Sequence, residues 1–333
     1  MGGQRMRMLT PSGWATLVLG VLLVVVPFFA NDYILTVMTL AGIYAIACIG
    51  LNLFMGYTGQ ISFGHNAFAA LGGYCSAILT TQYGWGPILA GFAGIALAIV
   101  AALVVGYPTL KLRGHYLAMA TMALGLMVYL LAVQMDWITK GYTGIAAIPP
   151  LGVGRVMVET VLGYYGVVWI ITALVFWATV RIIDSRVGLA LRAVRENEEA
   201  ARALGVDITG YKVLALVISA VLGAIAGSLY AHFVSYVSPE AYGSYMVVLL
   251  FTMLLAGGRG TSLGPVFGAI AIGFLPEILS GLKSYRELIY GAVLLAILIL
   301  APRGLYGALI RRFEVPRSGA ATAPRKSPGG GDR

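Results

Sequence analysis

Charge is what this chain lacks most. Only 11% of its 333 residues are charged, 22 Lys and Arg against 13 Asp and Glu, where a soluble domain carries about 25%. So few charges cannot cover a water-soluble surface of this size. Cysteine is nearly absent too. Cys48 and Cys75 both lie in apolar runs, with no disulfide framework and no metal-ligand spacing, and read as small buried hydrophobes. The phosphate loop Gly-x-x-x-x-Gly-Lys-Ser/Thr is missing, so the chain is expected not to bind or hydrolyse ATP. His115 and His232 fall near opposite ends of apolar segments and make no nucleophile–base–acid set. No catalytic residue, metal site or cofactor is therefore expected. Acids are scarce inside the apolar runs, where Asp32 and Glu277 sit close to the ends. Ionisable groups at membrane depth usually mark ion or proton routes, and their scarcity argues against an ion-coupled pump.

What is present is apolar. Hydrophobic residues make up 59% of the chain and mean hydropathy is +0.89. Ten hydrophobic segments can be read: Trp14–Ala30, Tyr33–Phe54, Gly64–Thr81, Pro87–Tyr107, Tyr116–Val133, Tyr164–Val180, Tyr211–Phe233, Tyr245–Ala256, Leu263–Ser280 and Leu288–Ala301. An open strand edge does not survive in lipid, so the expected fold is all-α, a polytopic transmembrane bundle of about ten segments. The eighth and tenth are short for a full span, and the eighth and ninth are compatible with a re-entrant pair. The region after the second segment is broken, or re-entrant, at Gly56 and Gly59. Residues 1–13 form an N-terminal stretch and 14–310 the membrane domain, with a long charged loop at about 182–210. The Gly-, Pro- and Ala-rich residues 311–333 read as a disordered tail. The first segment resembles a signal peptide, but Pro27-Phe28-Phe29-Ala30 lacks a small-x-small cleavage site, so it reads as a retained span.

The net charge is +9, and 18 of the 22 basic residues fall on one side if all ten segments cross. The other side holds Lys140, Arg155, Lys283 and Arg286. This bias places both termini in the cytoplasm of a bacterial inner membrane and makes nucleic acid an unneeded explanation of the charge. Glycine, at 44 residues, supplies small-xxx-small spacings such as Gly223/Gly227 and Gly264/Gly268, which suit close helix packing in lipid.

Two stretches carry functional signals. Tyr57–Asn66 puts Thr58, Gln60, Ser62, His65 and Asn66 in a glycine-broken region. Irregular backbone at membrane depth is tolerated where it lines a cavity or is buried in protein, so these five residues either border a translocation path or tie neighbouring helices together. Ser262-Leu263-Gly264 echoes Ser62-Phe63-Gly64, a hint of internal repetition. The loop Arg181–Tyr211 is the longest charged stretch between two spans. Its Ala, Leu, Arg and Glu favour helix, Gly205 suits the position past the helix end, and Glu198 and Arg202 have the spacing of an ion pair. Leu191, Val194, Ala201 and Leu204 share a face. This reads either as a solvated linker or as a coupling helix that docks a partner by a small apolar patch.

Here a resemblance becomes specific. Glu198-Glu199-Ala200-Ala201-Arg202-Ala203-Leu204-Gly205 resembles the coupling segment of ABC importer permeases. Gly188–Asn197, Gly56–His65, Gly257-Gly258-Arg259-Gly260-Thr261 and Pro302-Arg303-Gly304-Leu305 are similar to blocks of branched-chain amino acid permeases of the LivM type. The resemblance runs from about Tyr33 to Leu305. It implies a subunit forming half of the path for leucine, isoleucine or valine, beside a LivH-type second permease. It further implies two ATPase subunits of the LivG and LivF types and a periplasmic solute-binding protein, all in a lipid bilayer. Glu198, Glu199, Ala200, Arg202 and Gly205 would then meet an ATPase. Permeases for urea and short amides look similar, and a stand-alone carrier or channel, or a membrane enzyme, would need features not visible here.

Overall fold

The computed structural model describes residues 11–112, 114–153 and 156–278, with Gly291 and Leu295. Its helices are α1 (Pro11–Phe29), α2 (Asp32–Leu51), α3 (His65–Thr81), α4 (Pro87–Thr109), α5 (His115–Gln134), α6 (Asp136–Thr139), α7 (Val161–Ile183), α8 (Arg186–Glu196), α9 (Glu198–Ala203), α10 (Ile208–Val234), α11 (Ser244–Gly257) and α12 (Gly264–Ile278). The order of apolar runs thus becomes an order of helices. The tenth apolar segment, 288–301, and the tail, 311–333, lie outside the described residues, as do residues 1–10.

Among the described residues, six helical runs are long and apolar enough to cross a bilayer: Asp32–Tyr57, Pro87–Thr109, His115–Gln134, Val161–Ile183, Ile208–Val234 and Pro239–Gly257. Val18–Phe29 and Gly264–Leu275 are shorter apolar helices. The described residues are therefore mostly helical with six candidate spans, where hydropathy marks ten segments, the tenth outside those residues. Among the described residues, strand is confined to two-residue pieces. β1 (Ile145–Ala146) pairs antiparallel with β4 (Tyr236–Val237), and β2 (Gly152–Val153) with β3 (Val156–Met157). The first ladder ties the α6–α7 connection to the end of α10.

The core sits around α2 and α10. Their most apolar windows are 72% and 61% buried, against 22% for α4 and 28% for α5 and α7. Lipid offers no hydrophobic drive between helices, so close approach rests on small residues. A Cβ on Gly227 would strike the Ala69 carbonyl, and one on Gly72 the Ala224 carbonyl, so α3 and α10 cross backbone to backbone. Gly264 and Gly268 do the same for α12 against Gly257 and Met253 of α11. The small-xxx-small spacings are helix-packing devices within this chain.

The break after α2 has a definite form. The helix runs on through a π turn, Asn52–Tyr57, of the kind often found at functional sites. The chain then leaves helical geometry at Gly59, φ +73°, and resumes it at His65. His65 lies beside Ser219, midway along α10. Asn66 lies over Gly125, the middle of α5. The turn that precedes α11, Pro239–Tyr242, is joined to Asn66 through the Tyr242 carbonyl. Both α3 and α11, at 17 and 14 residues, thus begin level with the middle of longer helices.

Candidate functional site: loop helices clasp the broken segment

The charged loop is two helices, not one. Asn197 is extended (φ −161°, ψ 110°) and ends α8. Its side-chain oxygen accepts from Glu199 N at 2.9 Å and Ala200 N at 3.1 Å, capping α9. Asn competes for backbone N–H groups better than it supports a helix interior. Good helix formers on both sides hid that choice in the sequence. At the far end Gly205, φ +83°, takes the left-handed position. Val206 N donates to Ala201 O at 3.1 Å and Gly205 N to Arg202 O at 3.0 Å, closing the αL cap. Asp207 then caps α10 by accepting from Gly210 N at 3.1 Å.

The two helices divide their contacts. On α8, Leu191 and Val194 are buried. On α9, Ala201 is buried while Glu199, Ala200, Arg202, Ala203 and Gly205 are exposed. Leu204 was expected on the shared apolar face; instead it is 84% exposed, because the kink at Asn197 rotates α9 out of register with α8. Glu198 reaches beyond its own helix. Its Oε1 is 2.6 Å from Lys212 Nζ on α10 and accepts from Gln60 Nε2 at 3.1 Å. An exposed pair four residues apart is worth only about 0.3–0.5 kcal/mol. Lys212 is 3% exposed, and a buried ammonium without its counter-charge costs about 3–5 kcal/mol. The demand of the buried lysine outweighs the helix pair and holds Glu198 against α10.

These contacts run straight to the broken segment. Arg195 Nη1 donates to Gly56 O at 2.6 Å, and the Arg192 guanidinium lies 5.7 Å from the Tyr57 ring centroid. A Cβ on Gly59 would crowd Arg195 at 3.2 Å, and one on Gly260 would meet its guanidinium at 2.7 Å. Asn52 locks the second glycine block to the first: its Nδ2 donates to Thr261 O at 2.8 Å and its Oδ1 accepts from Gly260 N at 2.7 Å. The blocks 56–60 and 257–261, far apart in sequence, thus meet under α8.

The five polar residues of the break are all buried, and they separate into two groups. Thr58 Oγ1 donates to Phe54 O, Gln60 reaches Glu198, and Ser62 Oγ accepts from Gly64 N at 3.4 Å. His65 Nε2 is 2.7 Å from Ser219 Oγ, whose proton goes to Gly50 O at 2.6 Å. The Ser219 oxygen can then only accept, so the His65 proton sits on Nε2. Gln60 and His65 thus tie the break to α9 and α10, while Thr58 and Ser62 bond within it. Asn66 Nδ2 donates to Tyr242 O at 2.8 Å, while its Oδ1, like His65 Nδ1, has no partner among the described residues. Asn66 also lines a cavity of about 650 Å³ between α5 and α11.

Four members of this site were not picked out from the sequence: Asn52, Arg195, Lys212 and Ser219. Lys212 had a signal, a lone lysine in the otherwise apolar Tyr211–Phe233 run, which requires a counter-charge if buried. Asn52 and Ser219 had none, since polar residues that pair across more than 150 positions leave no local pattern.

Long apolar helices, two of them starting half-way into the bundle beside a cavity, define a multi-pass membrane protein of the transporter kind. The chain belongs to the family described as branched-chain amino acid transport system / permease component, which residues 33–301 match. It is 30% identical to the high-affinity branched-chain amino acid transport system permease protein LivM of Escherichia coli (strain K12), over 86% of this chain and 72% of that one. It is 28% identical to LivH of the same organism, over 81% and 92%. To the probable LivM of Methanocaldococcus jannaschii it is 26% identical, over 82% and 93%. No solved structure matches.

Proposed function

We propose that this chain is one half of the translocation pathway of an ATP-driven importer for branched-chain amino acids. The chain spans the membrane about ten times, with both termini in the cytoplasm. A LivH-type permease forms the other half, two ATPases of the LivG and LivF types dock on α8–α9, and a periplasmic binding protein delivers the solute. The observation that carries this reading is the clasp. Around α9, Glu199, Ala200, Arg202, Ala203, Leu204 and Gly205 are exposed, while Arg195 and Glu198 grip Gly56 and Gln60. A push on α9 is therefore delivered to the break at the foot of α3. Glu199, Ala200, Arg202, Leu204 and Gly205 meet the ATPase, Glu198 transmits, and Thr58, Gln60, Ser62, His65 and Asn66 border or support the path.

The test is affinity purification from native membranes in mild detergent, followed by reconstitution with labelled L-leucine. A second permease and two ATPases in stoichiometric recovery, with ATP-dependent uptake, are expected. Recovery of the chain alone, transporting without ATP, would overturn the reading. Uptake of urea in place of leucine would reassign the solute.

A further inference from the structure

His232 is a fully buried histidine in the last turn of α10. Its Nδ1 lies 2.7 Å from Pro149 O, in the α6–α7 connection. A carbonyl only accepts, so Nδ1 carries the proton, and Nε2 of the neutral ring accepts from Ser76 Oγ of α3 at 2.8 Å. Ser228 Oγ, one turn back on α10, donates to Ser76 Oγ at 3.1 Å. Tyr164 of α7 closes the set: its hydroxyl donates to His232 O at 2.9 Å and accepts from Leu151 N at 2.7 Å. The connection held in this way is strained. Ala147 and Ser235 both sit at φ +57° without being glycine, a conformation that persists only where neighbours over-determine it. The neighbours are the β1–β4 ladder, the bond from Ile148 N to Ser235 O at 3.3 Å and the His232 ring. Ala146 and Ala147 are exposed, so a buried imidazole shapes a surface turn.

We propose that His232 is a positioning residue for the turn Ile145–Leu151, and that α10 makes this turn and α9 the two ends of one lever. The inference rests on the importer reading above. It adds a route by which a solute-loaded binding protein, bearing on the turn from outside, raises ATP hydrolysis inside. Helix α10 runs unbroken for 27 residues, about 40 Å at 1.5 Å per residue. His232 grips the turn at one end, and at the other Lys212 grips Glu198 of α9 at 2.6 Å. Between them α10 crosses α3 backbone to backbone at Gly72 and Gly227, and Ser76 of α3 shares the His232 bond. Packing this close transmits a displacement instead of absorbing it. Coupling between two sites is reciprocal, so ATP binding inside also alters the outer turn.

The test uses the whole importer in liposomes and measures ATP hydrolysis with and without leucine-loaded binding protein. In His232→Leu, with subunits recovered in the wild-type ratio, basal hydrolysis is expected to hold while the increment caused by the binding protein falls about fivefold or more, the low end of ordinary coupling. His232→Asn places an amide nitrogen near the Nδ1 position, keeps a donor for Pro149 O, and should restore most of the increment. A second measurement needs no change at His232. Ala147→Cys, with Cys75→Ala, is labelled from outside by an impermeant maleimide, and its rate should change several-fold when the complex is trapped with ATP and vanadate. That change should vanish in His232→Leu and persist in His232→Asn. An undiminished increment in assembled His232→Leu, equal losses in the Leu and Asn variants, or labelling indifferent to ATP overturns the lever. If His232→Leu does not assemble, the labelling of Ala147→Cys in the otherwise wild-type complex decides alone. A wild-type complex without ATP-dependent leucine uptake would bring down the importer reading itself, whereas normal uptake with an undiminished increment in His232→Leu removes only the lever.

Discussion

Glu198 is the residue on which the loop and the bundle meet. Its carboxylate neutralises a lysine that is 3% exposed and accepts from Gln60. Glu198→Gln leaves Lys212 buried without a counter-charge, at a cost of about 3 kcal/mol or more. A clearly lower midpoint of thermal unfolding in detergent is expected, and Glu198→Leu combined with Lys212→Met should regain most of it. Equal midpoints for wild type and Glu198→Gln would show that the pair holds nothing in place. Arg195→Ala should behave differently. Arg195 is exposed and touches Gly56 by one charge-assisted bond, worth about 1.5–3 kcal/mol. Its loss should leave assembly intact while transport per ATP hydrolysed falls several-fold in liposomes. Glu199→Lys, on the exposed face of α9, should instead weaken recovery of the ATPases.

At the scale of elements, α9 is short enough to depend on its ends. Removing the Asn197 side chain costs about 1 kcal/mol of helix stability, and Gly205→Val forces a branched residue to φ +83°. No atom lies within 4 Å of a Cβ at Gly205, so the penalty is one of backbone and not of collision. Both variants are expected to fold with nearly wild-type melting and to lose coupled ATP hydrolysis. Gly227→Leu should do the reverse, since its side chain would drive into the Ala69 carbonyl, and little protein should survive extraction. The loop helix and its αL terminus were legible in the sequence because Gly205 follows an alanine- and glutamate-rich run. The hinge at Asn197 was not, since its only sign was a capping residue inside a favourable run. Without that hinge Leu204 falls on the buried face, where the structure does not put it. The break after α2 was legible from Gly56 and Gly59. Its partners were not, because Arg195 and Gly260 approach it from 139 and more than 200 positions away.

For the whole molecule, hydropathy gave the order of the helices, and six of the ten segments it marks match runs among the described residues that are long and apolar enough to cross. α3 has 17 residues, whereas α11 together with the turn before it, Pro239–Gly257, is one of those six runs, and a window average does not show where along the bundle a helix begins. The proposed orientation has a direct check. A cysteine at Glu199 should react with an impermeant maleimide only in inside-out vesicles, and one at Trp137, which is 76% exposed, only in right-side-out vesicles. Labelling of both from the same face would invert or break the charge-bias assignment. Cys48 is buried and should stay silent, and Cys75 is replaced by Ala for the assay.

The hinge at Asn197 has a consequence for how importers of this kind can diversify. α8 is wedded to its own bundle through Leu191, Val194 and Arg195, whereas α9 turns Glu199, Ala200, Arg202 and Ala203 outward. Allegiance to a motor and allegiance to a channel are thus written on separate helices joined by one asparagine. A lineage can change motors by rewriting the outward positions of a six-residue helix, keeping Glu198 and Ala201, while the channel it drives is left untouched.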